Sequence, residues 1–237
     1  MASQNRVVVI TGGTGFLGTA VSAAYLNAAH PVAIPYIYER EIEQFETHVG
    51  DLKSGATLIQ ANVTVEAEVT AFFESVSEQL GPVDILVNIV GGYVGGIPVA
   101  ELDEEQWDFM MNLNMKSAFF CCKAALPYML EQEYGKIVNV SARAGLSGIA
   151  GLSAYCISKG GVRVFTESLA EEVKDSGINV NAIMPSVIDT PGNRQSMPDE
   201  DHSRWVPPSE IAKVIMFLTS DDAAVINGAA IPVYGRA

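Results

Sequence analysis

Arg6-Val-Val-Val-Ile-Thr-Gly-Gly-Thr-Gly-Phe-Leu-Gly18 is the stretch on which the fold turns. The β-branched run Val7 to Ile10 reads as a buried strand and feeds directly into glycines. Thr19-Ala-Val-Ser-Ala-Ala-Tyr-Leu26 then continues in helix-compatible residues. Gly13, Gly15 and Gly18 have the G-x-G-x-x-G spacing in the strand–turn–helix setting that a dinucleotide phosphate requires. Glycine lets main chain approach a pyrophosphate closely, and free N–H groups at a helix start carry the positive end of its dipole. Gly12, Gly13, Thr14, Gly15, Phe16, Leu17 and Gly18 are therefore candidate cofactor contacts.

Outward from this turn, short apolar runs alternate with helical patterns. Strands are expected at 7–10, 32–37, 57–60, 85–88, 136–140, 179–183 and 230–233. Helices are expected near 16–28, 39–49, 66–79, 104–132, 154–175 and 208–219, with Gly and Pro at the joints. Alternation of this kind predicts βαβ units on a parallel sheet. No repeat or long linker interrupts it. The fold class is a single-domain, Rossmann-type, doubly wound α/β sheet of about seven strands, spanning 1–237.

Composition narrows the function. Fourteen basic against twenty-eight acidic residues give a net charge of −14, which argues against nucleic acid or an anionic membrane as partner. No run of about 18 apolar residues offers a membrane span, and the first residues lack the apolar core of a signal peptide. A cytoplasmic location is expected. Cys121, Cys122 and Cys156 have neither disulfide nor zinc spacing, and His30, His48 and His202 share no local spacing, so no metal is expected.

Tyr155-Cys-Ile-Ser-Lys159 puts a phenol and an amine on one face of a helix. A free phenol has a pKa of about 10, and a neighbouring ammonium lowers it toward a range useful for general acid or base work. Cys156, one residue on, is turned about 100° away and reads as packing.

With the glycine turn ahead of this pair, the chain resembles the short-chain dehydrogenase/reductase family along nearly its whole length. Asn88-Ile-Val-Gly91 resembles the family's element supporting the central sheet, and Asn114 falls on its catalytic-helix asparagine. Lys136-Ile-Val-Asn-Val-Ser141 is similar to the strand leading to the family's catalytic serine. Pro185-Ser-Val-Ile-Asp-Thr190 is similar to the loop that closes on the nicotinamide amide, and Asn227-Gly228 with Tyr234-Gly235 to the last strand. The resemblance implies an NAD(P)-dependent oxidoreductase that passes hydride to or from a small carbonyl or alcohol. Tyr155 would be its acid or base and Lys159 its ribose contact. Asn114 would hold a relay water, and Asn88, Gly91, Pro185, Ile188 and Thr190 would lie along the cofactor. It also implies a homodimer or homotetramer, joined through 104–132 and 154–175, where Phe119, Phe120, Leu126, Tyr128, Met129, Val164, Phe165 and Leu169 supply apolar surface.

Departures from the family pattern leave alternatives. The usual serine position holds Ala142, with Ser141 one residue earlier. Either a bulge turns Ser141 inward as a catalytic residue, or the hydroxyl is absent. Gly91-Gly-Tyr-Val-Gly-Gly96, Ser141-Ala-Arg-Ala-Gly-Leu146 and Asp189-Thr-Pro-Gly-Asn-Arg-Gln-Ser-Met-Pro198 resemble the dihydropteridine reductase branch, whose substrate is a pterin with a C=N bond. Trp205 would then stack on a substrate ring or seal the loop. Cofactor choice between NAD and NADP stays open: Tyr36 replaces the usual aspartate, while Glu39 favours NAD and Arg40 favours NADP. Asn62-Val63 is expected against the adenine. A catalytically silent dinucleotide sensor is the remaining reading.

Overall fold

The computed structural model describes residues 5–236; the readings at the first residues and at Ala237 fall partly outside them. Seven strands form one sheet: β1 (Val8–Thr11), β2 (Val32–Tyr36), β3 (Ala56–Gln60), β4 (Ile85–Asn88), β5 (Gly135–Val140), β6 (Ile178–Pro185) and β7 (Ala230–Val233). Their order is β3-β2-β1-β4-β5-β6-β7, and every pairing is parallel. β1, β4 and β5 are buried along their whole length. That explains their unbroken apolar runs, because helices cover both faces of such a sheet.

Those helices are α1 (Phe16–Asn27), α2 (Glu39–Val49), α3 (Glu66–Leu80), α4 (Glu104–Met110), α5 (Ser117–Glu131), α6 (Ser153–Glu172), α7 (Pro191–Ser196) and α8 (Pro208–Leu218). Successive strand side chains point to opposite faces, so neighbours in sequence enter different cores. Val9, Leu86 and Ile137 pack with Phe72, Phe73, Met129 and Leu169 from α3, α5 and α6. Val8, Ile10, Val87 and Val138 pack with Tyr25, Phe45, Ile211 and Ile215 from α1, α2 and α8.

Strand order reverses at β1, whose neighbours are β2 on one side and β4 on the other. A crevice at the carboxyl ends of the strands is the consequence in a doubly wound sheet. Two local features depart from the sequence reading. The expected helix 104–132 is divided into α4 and α5 by a π-helical turn, Met111–Lys116, a distortion that recurs at functional sites. Additionally, α7 was not expected. Pro191 occupies its first turn and the Thr190 hydroxyl accepts from the Asn193 N–H as its cap, two start signals that a short segment conceals.

Candidate active site

A cleft of about 1250 Å³ lies over the carboxyl ends of β1, β4, β5 and β6. Drug-sized ligands occupy roughly 300–1,000 Å³, so this volume has room for a dinucleotide with a small second molecule. Gly12, Thr14, Gly15, Phe16, Leu17 and Gly18 line one end. Gly15 precedes α1 with extended backbone, no side chain caps the helix, and its first turn carries no acidic residue. The first amides of α1 are thus left open, which suits an anionic group. Thr19 and Ser22 hydroxyls donate to the Thr14 and Gly13 carbonyls, drawing these back onto the helix. A Cβ built on Gly18 would stand 1.9 Å from the Gly12 carbonyl oxygen, so the tight turn requires glycine there. These residues fit a pyrophosphate.

Tyr36, Asn62 and Val63 line the same end, joined by Ile37, Glu41 and Gln44. Asn62 Oδ1 is taken by the Thr64 N–H at 3.0 Å and the Thr64 hydroxyl at 2.8 Å, leaving the amide NH₂ of Asn62 as its donor toward the cleft. Glu39 and Arg40, the two residues on which cofactor choice was expected to rest, do not line the cleft. Arg40 lies over the Tyr38 ring, 5.0 Å from its centroid.

At the other end, α6 carries Tyr155 and Lys159 into the cleft. Lys159 is 5% exposed and its Nζ donates to the Val140 carbonyl at 2.9 Å. Burial pulls its pKa down to about 8. Tyr155 is pushed up to about 12, by burial first and then by Tyr93 and Cys156. The expected lowering of the phenol by Lys159 is therefore not what this geometry gives. Desolvation dominates, and the tyrosine is a protonated acid at neutral pH.

Tyr93, which sequence reasoning passed over, sets its ring edge-on against Tyr155 with centroids 5.0 Å apart. It sits in the glycine-rich segment, where the turn residues hid a working aromatic. A Cβ on Gly91 would come within 2.8 Å of both Asn114 Oδ1 and Lys159 Nζ, so only glycine leaves room for these two groups there. Asn114 itself is held from the π turn: Oδ1 accepts from the Gly92 N–H at 2.8 Å, while Nδ2 donates to the Gly92 carbonyl and the Ser158 hydroxyl. Ser158 in turn donates to the Tyr155 carbonyl at 2.9 Å, linking the asparagine to the tyrosine's own helical turn.

Ser141 continues the line of β5. The ladder continues through its N–H to the Ile183 carbonyl at 2.9 Å, and Ala142 follows in extended backbone, without a bulge. The Ser141 hydroxyl donates to the Lys159 carbonyl at 2.7 Å, and both Ser141 and Ala142 line the cleft.

Gly91, Pro185 and Ile188 line the cleft as expected, whereas Gly13, Asn88, Asn114 and Thr190 are not among its lining residues. Asn88 Nδ2 donates to Asn139 Oδ1 at 2.8 Å, tying β4 to β5, and Thr190 caps α7. In its place Asn193 reaches the site, with Nδ2 donating to the Ile188 carbonyl at 2.8 Å. Trp205 is 6% exposed and packs on His202 at 4.3 Å, so it seals the loop. Leu113, Leu146, Ile149, Leu152 and Met197 make the substrate end apolar.

Residues 6–201 match the short chain dehydrogenase family. The chain belongs to that family. Over 98% of its length it is 33% identical to 2-(S)-hydroxypropyl-CoM dehydrogenase 3 of Xanthobacter autotrophicus, covering 96% of that protein. It is likewise 33% identical over its whole length to meso-2,3-butanediol dehydrogenase of Serratia marcescens, again covering 96%. Among solved structures, ElxO with NADP bound superposes with a TM-score of 0.93 at 27% identity, with 98% of each chain covered. The family consists of oxidoreductases, and this chain is an oxidoreductase that uses NAD or NADP. No helix among the described residues is long and apolar enough to cross a membrane.

Proposed function

We propose that the protein transfers hydride between NAD(P)H and a small carbonyl or alcohol, with Tyr155 as the general acid or base. The observation that carries this is the cleft itself, which brings an uncapped α1 start and the Tyr155 phenol into one continuous space. The nicotinamide, when bound, supplies or accepts the hydride. Tyr155, protonated at neutral pH by its buried setting, gives its proton to the substrate oxygen during reduction. Lys159 would hold the cofactor ribose, and Asn114, fixed by Gly92 and Ser158, keeps the π turn and α6 in register. Pro185, Ile188 and the first residues of α7 would cover the nicotinamide end, and the Tyr93 ring stands edge-on against the phenol. Ala142 stands where the family's serine would polarise the substrate, so the tyrosine works without that donor.

The test is cofactor turnover against diketones, β-ketoacyl thioesters, quinones and quinonoid dihydropterin, with NADH and NADPH in parallel. Turnover of a small ketone or its alcohol supports the reading. Turnover of the pterin alone, which Ala142 makes easier to accommodate, replaces it with pterin reduction. Binding without any turnover replaces it with a sensor.

The same reading takes 1–237 as one catalytic domain of a cytoplasmic homodimer or homotetramer. Phe109, Phe119, Ile157 and Val164, on α4, α5 and α6, are each between 42% and 52% exposed, an apolar face that a second copy would cover. Phe120, Met129 and Leu169, expected on that face, lie in the core instead. Val164→Glu should lower the mass measured by light scattering toward the 25.3 kDa of one chain. An unchanged mass puts the interface elsewhere.

A further inference from the structure

Glu41 is the third residue of α2 and projects into the cleft beyond the glycine turn, beside Tyr36, Ile37 and Gln44. Its Oε2 accepts from the Thr14 hydroxyl at 3.3 Å and from the Ile37 N–H at 3.4 Å. Both contacts are long for hydrogen bonds. They place the carboxylate between the glycine loop and the end of β2, yet leave it lone pairs for another donor. In a doubly wound sheet an acidic side chain about 20 residues after the glycines accepts from the adenosine ribose hydroxyls. The usual place for it, the last residue of β2, holds Tyr36 here.

The charge around this corner is one-sided. Among the described residues that line the cleft, the cations are Arg143 and Lys159, and both belong to the Tyr155 end. Thr14, Gly15, Phe16, Tyr36, Ile37 and Gln44 are all uncharged. Arg40, the nearest residue able to meet a phosphate, is exposed and stacked on Tyr38. A ribose 2′-phosphate, with roughly two negative charges, would meet Glu41 with no cation in the cleft wall beside it. A ribose 2′-hydroxyl would instead find an acceptor.

We propose that Glu41 sets the cofactor preference, accepting from the free ribose hydroxyls of NAD(H) and repelling the 2′-phosphate of NADP(H). The inference rests on the dinucleotide reading of the cleft and adds which dinucleotide, and through which side chain.

Isothermal titration of the folded protein with NADH and with NADPH, without substrate, tests it. The wild type should bind NADH at least about tenfold more tightly, the size expected when like charges meet near a protein surface. Glu41→Gln keeps an acceptor and removes the charge. It should leave NADH affinity within about threefold and raise NADPH affinity, closing most of the gap. Arg40→Ala should change neither. Equal or tighter NADPH binding by the wild type overturns the inference, as does an unaltered gap in Glu41→Gln or a loss of NADPH affinity in Arg40→Ala. In that last case the guanidinium swings off Tyr38 and carries the phosphate. If the folded wild type binds neither dinucleotide, the reading of the cleft falls together with the inference.

Discussion

At the β1–α1 end the cleft is walled mainly by main chain, whereas at the Tyr155 end it is walled by side chains from six separate segments. The first wall is local: twelve consecutive residues, from Val7 to Gly18, contain the strand, the turn and the helix start. Its chemistry is that of amides, which any sequence able to make the turn will present. The second wall needs residues 91–93, the π turn, the end of β5, the start of α6, the loop after β6 and α7 to converge. Its chemistry is set by burial, which pushes Tyr155 up and Lys159 down. A generic ligand can therefore be held by a short motif, while a specific reaction demands tertiary placement.

The sharpest way to break this division is Tyr155→Phe. If the two walls are separable, kcat should fall by about 10²–10⁴-fold, the usual worth of a positioned acid, while the dinucleotide dissociation constant stays within about twofold. A variant that keeps more than half of wild-type kcat refutes the assignment of the acid. A large change in dinucleotide affinity shows that the phenol belongs to the cofactor wall as well.

This division also explains what could be read from residue order. Strand and helix positions followed from period and turn signals, and the seven strands fall within a residue or two of expectation. The glycine turn was legible because its residues are contiguous. Glu41 was not, since Glu39, Arg40 and Glu41 are adjacent carriers of charge on one helical turn and only packing decides which faces inward. Thr190 resembles a cofactor contact, and the helix that Pro191 starts there adds a second task to its hydroxyl, which accepts as the cap and keeps its O–H to donate. The phenol's shift follows from burial, with Tyr93 adding to it, and a two-residue argument that sees only the amine misses both.

Lys159 stands where the two walls meet, and pH is the means of probing it. Its folded-state pKa, near 8, lies below the ordinary lysine value of 10.5. The unfolded chain thus holds this proton over a range where the native state has released it, so this residue makes stability rise between about pH 8 and pH 10.5. Below pH 8 its burial cost is present in full. Dinucleotide affinity should move the opposite way, because a ribose contact needs the donor-rich ammonium. It should weaken by up to about tenfold from pH 7 to pH 9 as the proton leaves. Lys159→Met should abolish both trends, bind dinucleotide weakly at every pH, and be no less stable than wild type at pH 7, since an apolar group replaces a buried charge. A pH-independent wild-type affinity would take Lys159 out of the cofactor wall.

Ser141 and Ala142 carry the smallest expected effect and divide the substrate wall most finely. The Ser141 hydroxyl is spent on the Lys159 carbonyl, so Ser141→Ala should act through structure. The Lys159 carbonyl keeps its bond within α6, so losing the hydroxyl should cost about 0.5–1.5 kcal/mol of stability and lower Tm, while kcat should change by less than about tenfold. Ala142 already faces the cleft in extended backbone, and its serine variant would add a donor beside Tyr155 without rebuilding the strand. Ala142→Ser should therefore raise kcat/KM on simple ketones by a few-fold, with little change on a substrate that needs no polarised oxygen. The pair of variants gives opposite signs only if the strand runs without a bulge. A fall of 10²-fold or more in kcat for Ser141→Ala, with Tm unchanged, would mean that β5 rearranges when substrate binds and that the hydroxyl reaches the reacting oxygen after all.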